Sequence, residues 1–234
     1  MTPEPARVVI VAAHNEAESI GRTLEALAAA FPGARRLVAD DASRDGTQER
    51  AMANGAWVVS RRRPHGKGAN VTATAQAAID EFRDDATVLL CDGDLGPSAG
   101  ELGPLVEAVE GDDCDLAVAR FLEPEGGGFG IALGYARRAV ERLSGLRLAA
   151  PLSGQRAMRI STLRELIPFA DGWGIEVGMT IDAARAGYVV REFALPLTHR
   201  ATGRTPAGFL HRAGQLRDIR RAVRRRRQIA SRPR

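Results

Sequence analysis

The chain has 234 residues, 44% hydrophobic and 26% charged, a composition that excludes disordered and fibrous proteins and allows one large α/β domain or two small ones. No apolar run approaches the ~20 residues needed to cross a bilayer, and the first residues lack a secretory signal pattern. The net charge of +4 is uneven: from Arg212 to Arg234 ten arginines face one acid, Asp218, so a basic tail follows an acidic body. The two cysteines, Cys91 and Cys114, border apolar strand-like runs and read as buried thiols of a cytoplasmic protein, not as a disulfide or metal pair.

After a short lead, Val8 to Ala13 is a continuous apolar run with the pattern of a central parallel strand. His14-Asn15-Glu16 follows, then Ile20, Leu24, Leu27 and Phe31 at helical spacing, stopped by Pro32-Gly33. Leu37 to Ala39 predicts a second strand, ending in the turn-forming run Asp40 to Thr47 and a helix over 48–53. Trp57 to Val59 predicts a third strand, Arg61 to Gly68 a mobile basic loop, and 69–82 a helix. Val88-Leu89-Leu90-Cys91-Asp92-Gly93-Asp94 then reads as a buried strand ending in two aspartates.

A helix over 98–109, a strand from Asp115 to Ala119 and a glycine loop over 125–130 come next. Ile131, Tyr135, Ala139 and Leu143 mark an amphipathic helix. Ser153 to Arg159 and a short helix lead to the glycine-flanked turn Gly172 to Gly178, a further helix, and a strand from Tyr188 to Leu195 before His199. Strands alternating with helices predict an α/β fold with a mostly parallel sheet. Phe209, Ala213, Leu216, Ile219 and Val223, with arginines between them, predict a C-terminal basic amphipathic helix.

In open α/β sheets ligands bind just outside the carboxyl ends of the strands. Asp92 and Asp94 have no Lys or Arg beside them in sequence, and two such carboxylates are costly to bring together unless a cation bridges them. A divalent metal carrying a nucleotide diphosphate would do so, since hard cations take carboxylate and phosphate oxygens together. A polar turn is the plain alternative. Glu16 and Asp41, at neighbouring strand ends, can accept from base or ribose donors, whereas Asp40 and Asp45 read as turn or capping residues. Lys67, the only lysine, lies between Gly66 and Gly68, and a point charge on a flexible stem suits phosphate. It is no P-loop lysine, because Arg61 stands where the first glycine is needed and no Ser or Thr follows. Glu176 opens a helix, where a carboxylate is favoured electrostatically whatever its function.

Val9 to Glu16, Asp40 to Thr47 and Cys91 to Asp94, in this order and spacing, resemble the family-2 glycosyltransferases of the GT-A fold. Gly66-Lys67-Gly68, Pro151 to Gly154, Gly172 to Gly178 and His199 resemble the glucosyl-3-phosphoglycerate synthase subgroup. Ser153 to Ala157 and Arg200 to Thr205 resemble the dolichyl- and polyprenyl-phosphate sugar synthases. The resemblance implies metal-dependent transfer of a sugar from a UDP- or GDP-linked donor to a phosphate-bearing acceptor, with Mg2+ or Mn2+. It implies nucleotide contacts at Ala13, Glu16, Asp41, Lys67 and Asp92, and a metal held by Asp94, Asp92 and His199. It further implies catalytic roles for Glu176 and Asp94, and acceptor contacts at Gly128, Ser153, Gly154 and Arg156.

The domain division expected is a catalytic unit over 1–204 and a basic extension over 205–234. That extension suits an anionic membrane surface, placing the protein peripherally on the inner face of the membrane; a homodimer contact is its plainer use. Arginine runs also bind nucleic acid, but no recognition motif accompanies this one and the acidic body repels a polyanion. A nucleotidyltransferase would carry a glycine- and arginine-rich signature where this chain has Ala13 to Glu16. A non-catalytic nucleotide-binding or membrane-associated protein is the other alternative.

Overall fold

The computed structural model describes residues 6–122, 130–198 and 206–230. Seven strands, β1 (Arg7–Ala13), β2 (Arg35–Asp40), β3 (Trp57–Ser60), β4 (Thr87–Asp92), β5 (Leu116–Phe121), β6 (Arg156–Arg159) and β7 (Val190–Leu195), share one sheet in the order β3-β2-β1-β4-β6-β5-β7. Its flanking helices are α1 (Ile20–Ala30), α2 (Thr47–Ala53), α3 (Lys67–Glu81), α4 (Gly103–Glu110), α5 (Ile131–Ser144), α6 (Ile160–Leu166), α7 (Ile175–Arg185) and α8 (Pro206–Ala230). The expected α/β fold with a mostly parallel sheet is the fold observed.

The central strands read as continuous apolar runs because both their faces are covered. Val9 and Val11 pack with Leu24 and Leu27 of α1 and Leu105 of α4, while Val8 and Ile10 pack with Val71 and Ile79 of α3 and Met179 of α7. Cys91 and Cys114 are free and buried, as their apolar context predicts.

One strand departs from the sequence reading. Arg156-Ala157-Met158-Arg159 holds no β-branched residue, so its local pattern carries no strand signal. Pairing makes it β6, antiparallel to β4 on one side and to β5 on the other. Because β6 runs backwards, with Arg156 opposite Leu90, its first residues lie at the carboxyl edge of β4, beside Asp92. The helix expected over 98–109 also divides, into a 3-10 turn at Gly96–Leu102 and then α4.

The basic C-terminal helix exists, but its apolar face is spent inside the molecule. Ile219 and Val223 share a buried cluster with Ala136 and Val140 of α5 and Val177 and Ile181 of α7. Three glycines let α8 approach. A Cβ at Gly172 would meet the Asp218 carboxylate, one at Gly174 would stand 2.7 Å from Ala222 Cβ, and one at Gly178 would stand 2.8 Å from the Arg226 guanidinium. Asp218, Ala222 and Arg226 recur every four residues, so one face of α8 lies along the glycine-rich turn. Arg226, largely buried, closes the contact by pairing with Asp182 of α7.

Gly174→Val should therefore push α8 off its groove and cost about 1–3 kcal/mol, the range for an overpacked interior. Gly100→Ala, where the nearest atom lies 4.0 Å from the new Cβ, is the control and should leave stability within about 0.5 kcal/mol of the parent. Urea unfolding of the two variants measures both.

Candidate active site

A cavity of about 550 Å³ opens at the carboxyl ends of β1, β2 and β4. Strand register sets its floor: Ala12 lies opposite Asp92, and Ala13 opposite Asp40. Ala13, His14, Glu16 and Asp41 line one end, Asp92 and Asp94 the middle, and Leu152, Trp173, Glu176, Gln215 and Ile219 the other wall.

At the first end, Asp41 accepts from the backbone N–H groups of His65 (2.8 Å) and Gly66 (3.0 Å), fixing the turn that launches α3. The Glu16 carboxylate accepts from Ser19 Oγ at 2.8 Å, and its own backbone N–H donates to Thr47 Oγ1 at 2.8 Å. Asp40 and Asp45 serve as the sequence predicts. The fully buried Asp40 accepts from the Ser43 N–H in its turn and from the Gln48 and Ser60 side chains, and Asp45 accepts from Thr47 in its turn and from the Ala17 N–H.

The middle corrects two expectations. Lys67 is the first residue of α3, not part of a mobile loop, and its side chain is only 13% exposed. Its ammonium also supplies the cation that Asp92 lacks in sequence. Lys67 Nζ lies 2.6 Å from Asp92 Oδ1 and 2.8 Å from Glu176 Oε1, and 5.7 Å from the centre of the Trp173 ring. Burial works against the charged ammonium, but the two carboxylates outweigh it and hold the lysine pKa above its ordinary value. The ion pairs therefore persist through neutral pH. Gly154 is where this cluster needs room, since a Cβ there would stand 2.6 Å from Asp92 Oδ2 and 2.7 Å from Lys67 Nζ.

The predicted acceptor residues sit lower than expected. Ser153 is buried and donates to Gln155 Oε1 (2.9 Å), and Gln155 Nε2 donates to Asp92 Oδ2 (2.8 Å). Arg156 has no exposed surface, and its guanidinium donates to Ser153 O, Pro151 O and Thr180 Oγ1. Burial lowers its pKa to about 10, with Glu176 and Glu192 acting the other way. Neither side chain reaches the cavity, because β6 turns Ser153 and Arg156 beneath the Lys67 cluster. Their hydrogen bonds brace the 151–155 segment that carries Gly154 and Gln155 to Asp92.

Gly128 and His199 lie outside the described residues. Among the described residues no group of three His, Cys, Asp or Glu side chains gathers as a metal site. Asp92 and Asp94 both line the cavity, and their oxygens are the ligand type that hard divalent ions take. Sequence reasoning missed Gln155, Trp173, Gln215 and Ile219. Gln155 and Trp173 sat in segments already singled out and Ile219 on the stripe of the C-terminal helix, but none of them as a site residue; Gln155 reaches the site just before β6, and Gln215 and Ile219 through α8.

The family model for glycosyl transferase family 2 matches residues 8–170. The chain belongs to this family. It is a glycosyltransferase. Among curated relatives it is 30% identical over 212 residues to an undecaprenyl-phosphate mannosyltransferase of Micrococcus luteus, covering 84% of this chain and 85% of that one. It is also 30% identical over 203 residues to a glucosyl-3-phosphoglycerate synthase of Mycolicibacterium paratuberculosis, covering 74% of this chain but 58% of that longer one. The crystal structure of glucosyl-3-phosphoglycerate synthase from Mycobacterium tuberculosis with Mn2+, UDP and glucosyl-3-phosphoglycerate superposes with a TM-score of 0.75 at 26% identity, over 95% of this chain and 80% of that one. Other structures of that synthase hold Mg2+ with UDP, or Mn2+ with UDP-glucose and phosphoglyceric acid.

Lys67→Met should cost about 2–4 kcal/mol in chemical unfolding, because it leaves the buried Glu176 and the partly exposed Asp92 without their shared cation. Adding Glu176→Gln to that variant removes one of the stranded charges and should recover part of the loss. A double variant no more stable than Lys67→Met would show that the pair does not govern the cluster.

Proposed function

We propose that this glycosyltransferase moves a sugar from a UDP- or GDP-linked donor to an acceptor that carries phosphate, with Mg2+ or Mn2+ held at Asp94 and Asp92. The observation that carries the reading is one cavity holding Asp92, Asp94, Lys67 and Glu176 at the carboxyl edge of a family-2 sheet. Its volume, about 550 Å³, lies within the range for small-molecule sites. The relatives support the phosphorylated acceptor: one is named for a polyprenyl phosphate, the other for phosphoglycerate.

Ala13, Glu16 and Asp41 face the nucleoside on this reading, and Lys67 offers its ammonium to the diphosphate. A divalent ion at Asp94 and Asp92, with His199 as a third ligand, would neutralise negative charge on the departing nucleotide. Glu176, held by Lys67 on one side and within the field of buried Arg156 on the other, keeps its carboxylate fixed at the wall where sugar and acceptor meet. Gly154 gives acceptor and donor close access to that pair. The inner face of α8 completes the catalytic unit, while the exposed Arg221, Arg224 and Arg227 on its outer face meet an anionic membrane surface.

Thermal shift tests the donor site. A ligand bound only by the folded state stabilises it by ~2.7 kcal/mol at a hundredfold excess over its dissociation constant. UDP or GDP should raise the melting temperature only with Mn2+ or Mg2+, and Asp94→Asn should abolish the shift. Equal shifts in EDTA would refute the metal. Glu176→Gln should bind nucleotide as the parent does yet form product at least about tenfold more slowly, the mark of an interaction made in the transition state. Mass spectrometry of reactions with UDP-glucose or GDP-mannose and either 3-phosphoglycerate or undecaprenyl phosphate reads the product.

Replacing Arg221, Arg224 and Arg227 together by Gln should weaken co-sedimentation with phosphatidylglycerol vesicles and leave nucleotide binding intact. Unchanged sedimentation would remove the membrane role from α8.

A further inference from the structure

Asn70 lies one turn into α3, is 1% exposed, and has no hydrogen-bond partner for either its amide nitrogen or its carbonyl oxygen among the described residues. A buried carboxamide without partners costs free energy, so folded chains seldom hold one without a use for it. The other buried side-chain atoms without partners are single ones, Arg36 Nε and Thr87 Oγ1, whereas in Asn70 the whole polar group is unsatisfied. Asn70 is also a wall residue of the active-site cavity, next to Ala39, Gly66 and Lys67.

Two further features converge on the same place. Lys67 and Asn70 are three residues apart, so they share one face of α3. The first turn of this 15-residue helix also brings its positive end and free backbone N–H groups to the cavity. A buried donor, a buried acceptor, a helix N-terminus and an ammonium thus gather at one point, and their sum suits an anion that also carries polar donors.

We propose that Asn70 is a further donor-binding residue, whose carboxamide hydrogen-bonds the nucleoside diphosphate. The proposal rests on the donor reading above and adds a residue to it. Lys67 pairs with Asp92 and Glu176, one turn before the buried Asn70 amide on the same face of α3. A diphosphate competes for the same ammonium. As Lys67 turns to it, the face of α3 that the two residues share becomes open, and the amide gains the partners it lacks. A carboxamide suits this position because it offers both donor and acceptor and adds no negative charge beside phosphate.

The test compares the parent, Asn70→Leu and Asn70→Asp, each melted without nucleotide and titrated calorimetrically with UDP and with GDP in Mn2+. Leucine replaces the unpaired amide by an apolar group of similar shape. Asn70→Leu should therefore melt no lower than the parent yet bind the preferred nucleotide about tenfold more weakly, the loss of about one hydrogen bond. Asn70→Asp should bind more weakly still, since it sets a charge against the diphosphate. Should leucine fail to fold, Asn70→Ala removes the amide without added bulk, and the same weakening is expected. Parental affinity in Asn70→Leu or Asn70→Ala overturns the proposal while leaving the donor reading in place, and a lower melting point with unchanged affinity makes Asn70 an internal packing residue. If the parent itself binds neither nucleotide, the donor reading falls and the role of Asn70 falls with it.

Discussion

The buried ammonium of Lys67 organises the site, and its electrostatics explain much of the surrounding sequence. Removing an ion from water costs several kcal/mol even after relaxation, and one counter-charge rarely repays that without further hydrogen bonds. Lys67 has two carboxylates within 2.8 Å, and Arg156 lies buried close enough to Glu176 to feel its charge. Glu192 adds a third anion acting on Arg156, so two cations answer three carboxylates. Each member is then held by another element: Asp92 by Gln155, Arg156 by Thr180 and the 151–153 turn, Glu176 by the start of α7. Such a cluster is rigid while complete, and sensitive to any newcomer that competes for one of its charges.

What the sequence revealed, and what it hid, follows from the range of the interactions. Strand ends were legible because the strand pattern is local: Val8 to Ala13 and Val88 to Asp92 announce both the sheet and its carboxyl edge. Asp40 and Asp45 were legible in part for the same reason, since their bonds from the Ser43 and Thr47 N–H groups lie within a few residues, whereas those from Ser60 and Ala17 do not. The Lys67 cluster was not. Its partners are 25 and 109 positions away, and only the antiparallel insertion of β6 brings Gly154 and Gln155 to Asp92. β6 itself is four residues with two arginines, a strand by virtue of its neighbours and not of its composition. The burial of Ser153 and Arg156 follows from that pairing and was equally hidden. Asn70 drew no notice because an asparagine in a helical pattern is ordinary; only its burial and its missing partners distinguish it.

The glycine-flanked turn before α7 shows how a motif read through resemblance can rest on packing. Gly172, Gly174 and Gly178 are each needed by the approach of α8, because a side chain at any of them would strike Asp218, Ala222 or Arg226. Those glycines say nothing directly about catalysis. The charged residue among them is Glu176, buried and bound to Lys67. Trp173 links the two functions, with its ring near the Lys67 ammonium and its backbone N–H donating to Asp218, the single acid of the tail.

That link changes what the basic tail is. Charge counting along the chain made it a separable appendage, because ten arginines in a short stretch dominate any average. In three dimensions the arginines divide. Arg226 is buried against Asp182, Arg225 reaches Asp171, and Arg220 lies over Tyr135, so several of them hold α8 to the body. Ile219 and Gln215 then form part of the cavity wall. A helix fixed in this way is continuous with the Gly172 to Gly178 turn, whose Trp173 ring lies 5.7 Å from the Lys67 ammonium and whose Glu176 pairs with it.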